Sequence, residues 1–198
     1  MIMKRAYIIV YLTSYTFELK SSWLGEGNMS YAPFKKRIYA FLLDYLLIAL
    51  YGIFVVGTIS FVCRPYIEPL FSSSLVTAQL TGFFMITLPV SLYFILCECS
   101  KWQGTLGKRK VGIRVADNVG QRIGMGHSTV RTIIKFLPWE VAHFGIWRLM
   151  LPSNLSEKTV FIILIAVNLA ILVYLITPFT NKRKKNVYDW VACTEVIY

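Results

Sequence analysis

Arg37 and Asp44 stand seven residues apart, close to two helical turns, so on a helix they share one face about 10.5 Å apart along its axis. Tyr51 and Thr58 continue the same stripe. A carboxylate on an otherwise apolar helix has two uses. It can bind an ion or proton, with Arg37 tuning its charge, or it can act as a hydrogen-bonded clamp between helices while Arg37 anchors among headgroups. Glu98 closes a second apolar segment, with Ser91 and Thr87 behind it at helical spacing, and reads either as a further ion ligand or as a solvated carboxylate at the interface. Glu140 and His143 form an i, i+3 pair between Pro138, Trp139 and Trp147. Such a pair supplies half of a di-iron site, but that site needs the motif twice and further carboxylates, so no metal is expected and the pair faces the bundle or the outer headgroups. Asp44, Glu98, Glu140 and His143 are therefore the candidate ion-binding residues.

Other chemistry finds no support in the motifs. Gly104-Thr105-Leu106-Gly107-Lys108 has a phosphate-loop flavour, yet its first glycine is too close to the Gly-Lys pair and Arg109 replaces the required Ser or Thr. No G-x-S-x-G elbow or H-E-x-x-H pair occurs. Cys63, Cys97, Cys99 and Cys193 lack C-x-x-C or zinc-ligand spacing and read as small apolar residues. The expectation is a protein without catalytic residues, metal or cofactor, and not an enzyme.

The elements that must position these residues are apolar and long. Of 198 residues, 56% are hydrophobic and 16% charged, a balance outside that of soluble domains. Four runs, Ile38–Val62, Val76–Cys97, Ile133–Leu151 and Val160–Phe179, each approach the ~20 residues that cross a bilayer core. The fold class expected is an all-α membrane protein, a four-helix transmembrane bundle. The net charge of +11 does not indicate nucleic acid as partner, because the basic residues flank the apolar runs instead of forming one arm. Fifteen of them lie at 35–37, 101–135 and 182–185, against Arg64, Arg148 and Lys158 in the opposite loops. That bias places the long loop and both ends of the several-times-crossing core in the cytoplasm.

Residues 1–30 read as a doubtful extension before a transmembrane domain at 31–198. Lys4 and Arg5 precede the apolar run Ala6–Phe17, which is too short to span and has no small-x-small cleavage site. The Gly25-Glu26-Gly27 codons before Met29 could spell a ribosome-binding sequence, so Met29 is the expected natural start. In the long loop Val111, Ile113 and Val115 alternate with smaller or charged residues before a turn at Asp117–Gly120. A second β-prone run closes the chain at Cys193–Tyr198. These two are expected to pair as a small cytoplasmic β element, since unpaired edges are exposed otherwise.

With these pieces in order, the sequence resembles the RDD family of multi-pass membrane proteins from Tyr31 to Ile197. Arg37, Ala40 and Asp44 match its R-x-x-A-x-x-x-D opening, and Asp189 its second aspartate. Gly104-x-x-Gly107-Lys108 with Gly112-Ile113-Arg114-Val115 resembles its central loop, Arg131 its following arginine, and Asp189-Trp190-Val191-Ala192-x-Thr194 its closing motif. Tyr188 stands where the family often has His, which would remove a titrating group beside Asp189, and Cys193 where it often has Gly. The resemblance implies Arg37, Asp44 and Asp189 as motif residues and only a loose association with transport. Two functions stay open: small-ion or solute transport, in which a homo-oligomer would supply the pathway, or a non-catalytic membrane partner that stabilises or regulates another membrane protein. A structural Arg37–Asp189 pair closing one end of the bundle is a further expectation.

Overall fold

A computed structural model describes residues 30–198. The Ala6–Phe17 run and the expected start at Met29 lie outside the described residues. Helix α1 runs from Phe34 to Val62, α3 from Leu75 to Cys99 and α6 from Glu157 to Phe179, and these three are long and apolar enough to cross a membrane. At most 17% of any of their apolar windows is buried, so the apolar side chains point outward, as they must when lipid is the solvent. Ser74 and Ser156 begin α3 and α6 by accepting the backbone N–H of Thr77 and Thr159.

The expected third span is a different object. Helix α5 covers Met125–Met150, 26 residues, and starts eight residues before Ile133. It is long enough, about 39 Å at the helical rise, but Arg131, Lys135, Glu140 and His143 interrupt its apolarity. Its first turns carry their charges against other protein elements instead of lipid. Farther along, Gly145 brings α5 close to α6: a Cβ there would come within 2.9 Å of Leu164 Cδ2. The expected loop that holds Arg64 is largely helical, with helix α2 at Arg64–Ser72.

Both α1 and α3 contain a π-helical turn, at Gly52–Val56 and Phe83–Thr87. The two turns touch, and the Tyr51 hydroxyl donates to the Met85 carbonyl at 2.8 Å. A π turn shifts the helix phase by one residue, about 100°. Tyr51 therefore still faces the bundle while Thr58, beyond the turn, is exposed, and the expected four-residue stripe ends at three.

Short α4, Leu106–Lys110, leads into strand β1, Arg114–Asp117. After α6, the short helix α7 at Val187–Val191 leads to strand β2 at Thr194–Ile197. The two strands pair antiparallel, from Arg114 opposite Ile197 to Asp117 opposite Thr194, the pairing expected from their alternation. Single bridges from Tyr31 to Ile197 and from Arg122 to Ala116 cover the outer edges. Ala32, Ala40, Ile113, Val115, Ile123 and Val196 form the core beneath the sheet, which joins it to the first turns of α1.

Candidate functional site

Asp44 is buried, at 3% exposure, and receives three donors. Thr105 caps α4, accepting the Lys108 N–H at 3.4 Å while its own hydroxyl donates to Asp44 Oδ2 at 2.5 Å. The Gly107 N–H and the Tyr93 hydroxyl each donate to Oδ1 at 2.9 Å, and Tyr93 accepts the Leu106 N–H at 2.8 Å. The Gly-x-x-Gly segment thus docks on α1, and Gly107 must lack a side chain to do so. A Cβ there would run into the Ala40 carbonyl oxygen and lie 2.9 Å from the Asp44 carboxylate. Ala40, Asp44 and Gly107 are one joint. Asp44 faces another helix, as the sequence expects, through Tyr93 of α3, and the segment after α3 reaches it as well.

Beside the joint runs a chain of alternating charges. Glu98 Oε1 pairs with Lys108 Nζ, and its Oε2 lies 2.9 Å from Arg131 Nε. Arg131 Nη1 pairs with Asp189 Oδ1 and donates to the Thr194 hydroxyl at 2.9 Å. Asp189 Oδ2 accepts from Arg37 Nη1 at 3.3 Å and from the Asn186 N–H at 2.9 Å, the latter being half of a capping box that starts α7. Arg37 also donates to the Ala32 and Val196 carbonyls. Lys108, Glu98, Arg131, Asp189 and Arg37 tie α1, α3, α4, α5, α7 and β2 together. Glu98 is 1% exposed and Asp189 fully buried, so Glu98 is not the solvated interface carboxylate one reading of the sequence expected. Breaking such a buried pair by removing one partner costs about 3–5 kcal/mol, because the other charge stays behind. A second buried carboxylate cluster holds the sheet, where Glu195 takes Lys185 Nζ at 3.0 Å and Arg183 Nη1 at 3.1 Å.

Tyr188, at the position the family often gives to His, lies under the Arg131 guanidinium, 4.9 Å from the ring centroid, and edge-on to Tyr174. Burial first, then the Asp189 carboxylate, pushes its phenol up to about 12, against the Arg131 and Arg37 charges that pull it down. At neutral pH it is an uncharged wall of the network.

Glu140 and His143 do not act together. Glu140 Oε1 accepts the Thr87 hydroxyl at 2.5 Å, linking α5 to α3. His143 Nδ1 meets the Trp139 carbonyl of its own helix at 3.0 Å, and its ring packs against Trp139. Of the four candidate ion ligands, Asp44 and Glu98 flank the Thr105–Lys108 segment, and Glu140 and His143 lie elsewhere. Among the described residues no group of three or more His, Cys, Asp or Glu could hold a metal ion. Sequence reasoning missed Tyr93, Thr105, Lys108 and Arg131 as partners. A carboxylate at the end of an apolar run, ten residues before the lysine of a tight Gly-x-x-Gly-Lys turn, is the available signal for the Glu98–Lys108 pair.

The family model described as RDD family matches residues 31–193. "Uncharacterized protein YxaI" of Bacillus subtilis (strain 168) is 28% identical over 102 residues. That alignment covers 50% of this chain and 66% of the relative, just under two thirds of its length. No solved structure matches the chain.

Proposed function

The chain belongs to the RDD family, and from that premise we propose that it is a four-span bacterial inner-membrane protein whose cytoplasmic end is a rigid, non-catalytic platform for a membrane partner. One observation carries the reading: the buried carboxylates Asp44, Glu98, Asp189 and Glu195 are each held by donors or cations of the chain itself. A transported cation would have to displace those partners at every site it visited, stranding a buried cation at Glu98, Asp189 and Glu195 and leaving buried donors unsatisfied at Asp44. Helix α5 serves as the fourth span, with its charged first turns at the platform and Glu140 satisfied by Thr87. The fifteen-to-three basic bias turns that end toward the cytoplasm. On the platform, exposed Trp102 stacks under the Arg109 guanidinium at 4.2 Å beside exposed Leu106. Aromatic and arginine side chains of this kind are enriched where proteins meet.

The test is flux and assembly in parallel. Vesicles containing the full chain should show no sodium-driven proton movement. Mildly solubilised native membranes should carry the chain in a complex larger than its detergent-bound monomer, either with another membrane protein or with copies of itself. Charge reversal at exposed Arg109 and Lys110 should dissolve that complex. Sodium-driven proton movement that disappears in a well-folded Asp44→Asn chain would establish the transport reading instead.

A further inference from the structure

Between α1, α3 and α5 lies an apolar groove of about 170 Å³, of the order of the ~150 Å³ apolar cavities known to take a benzene-sized guest. Phe41, Tyr45 and Trp139 form its mouth and are 56%, 57% and 45% exposed, so it opens sideways onto the apolar flank of the helices. Its inner end is Lys135, which also lines a smaller cavity of about 70 Å³ shared with Arg37, Lys108 and Arg131. Lys135 Nζ lies 3.7 Å from the Phe94 ring centroid. Among the described residues no carboxylate oxygen lies within 4.0 Å of that nitrogen.

The charges around the smaller cavity do not balance. Lys108, Arg131, Arg37 and Lys135 stand against Glu98, Asp189 and the Asp44 carboxylate that lines both cavities, Asp44 is filled by neutral donors, and Lys135, beyond ion-pair reach of any carboxylate among the described residues, rests on aromatic faces. An ammonium so placed draws an anion, and the groove leading to it draws hydrocarbon. We infer that the groove seats the first few carbons of one acyl chain of an anionic bilayer lipid, with the headgroup phosphate at Lys135 and the rest of the chain leaving through the mouth. A free inorganic anion would satisfy the lysine but leave the apolar groove without an occupant. The inference rests on the reading that α1, α3 and α5 stand in the bilayer, and it is independent of whether the platform carries a protein partner.

The full chain, purified in detergent, should retain phosphatidylglycerol in preference to phosphatidylcholine by native mass spectrometry. Lys135→Met should lower that retention about tenfold or more, the value of one hydrogen bond to a charged group, and Lys135→Arg should keep it. Ile86→Phe, which fills the groove and leaves the lysine in place, should also release the lipid. Equal retention of both lipids, or phosphatidylglycerol held as well by Lys135→Met or Ile86→Phe as by the native chain, overturns the inference. So does thermal stabilisation by inorganic phosphate alone that matches the lipid's. These outcomes are separate from the flux assay, so the lipid site and the platform can fail independently.

Discussion

Replacing Asp44 by Asn and by Leu separates a clamp from an ion site, and the three donors set the magnitudes. Leu removes the acceptor from the Gly107 N–H, which is fixed in buried backbone, and from the Thr105 and Tyr93 hydroxyls. The hydroxyls can rotate, and Tyr93 keeps its bond from Leu106, but the amide cannot. One full unsatisfied donor and two weakened ones cost roughly 3–5 kcal/mol at about 1–3 each. Asn keeps an oxygen for Gly107 and Tyr93, and its amide can donate to the Thr105 oxygen, so only the charge assistance is lost, about 1–2 kcal/mol. The measurement is unfolding of the purified chain in mixed micelles on raising the denaturing detergent, read by tryptophan fluorescence. The clamp predicts native above Asn above Leu, with the larger step between Asn and Leu. Stability that is the same in all three chains would refute the reasoning.

Gly107→Ala should destabilise by about 1–3 kcal/mol through overpacking against Ala40 and Asp44, in the same unfolding assay, whereas Gly126→Ala, which meets nothing, should be neutral. Arg131→Met takes one cation from both Glu98 and Asp189, leaving them to Lys108 and Arg37, and should cost about 3–5 kcal/mol in the same assay. Tyr188 keeps its proton up to about 12 when folded, above the ordinary 10.0, so the unfolded chain loses that proton first and stability falls as pH rises between those values. Alkaline unfolding of Tyr188→Phe should lack that part of the slope. A cysteine introduced at exposed Val119 should react with an impermeant label only after the cells are opened, and labelling from outside would reverse the orientation.

How much was legible in advance depends on what each residue faces. Residues facing lipid announce themselves through composition, and the spans at α1, α3 and α6 fall within a few residues of the apolar runs. The β pairing was legible because the alternation at 111–116 had one complementary run to meet, at the end of the chain. The start of α5 was not, since Arg131 looks like an end to any lipid-facing segment when hydropathy is the guide. Arg131 finds its carboxylates 33 and 58 positions away and Lys135 its nearest ring, Phe94, 41 positions away, which no local window contains. Glu98 was misjudged for the same reason: nothing in its neighbours shows that Arg131 reaches it. Family resemblance marked the motif residues, and only the geometry showed that two motifs are the halves of one joint.

The paired π turns in α1 and α3 carry a consequence for how this chain tolerates change in length. Each turn offsets the two halves of its helix by about one residue's rotation, and because the two touch and are tied by Tyr51 and Met85, the offsets act together. Loss of one residue between 52 and 56 would rewind α1 alone. The 57–62 half would then present Thr58 to the bundle and swing a bulky apolar neighbour out, while Arg37 and Asp44 kept their seats. A matching loss between 83 and 87 would let both helices turn in step. Length along these two helices therefore behaves as a shared angular setting, and single-residue deletions there should survive in pairs more readily than alone.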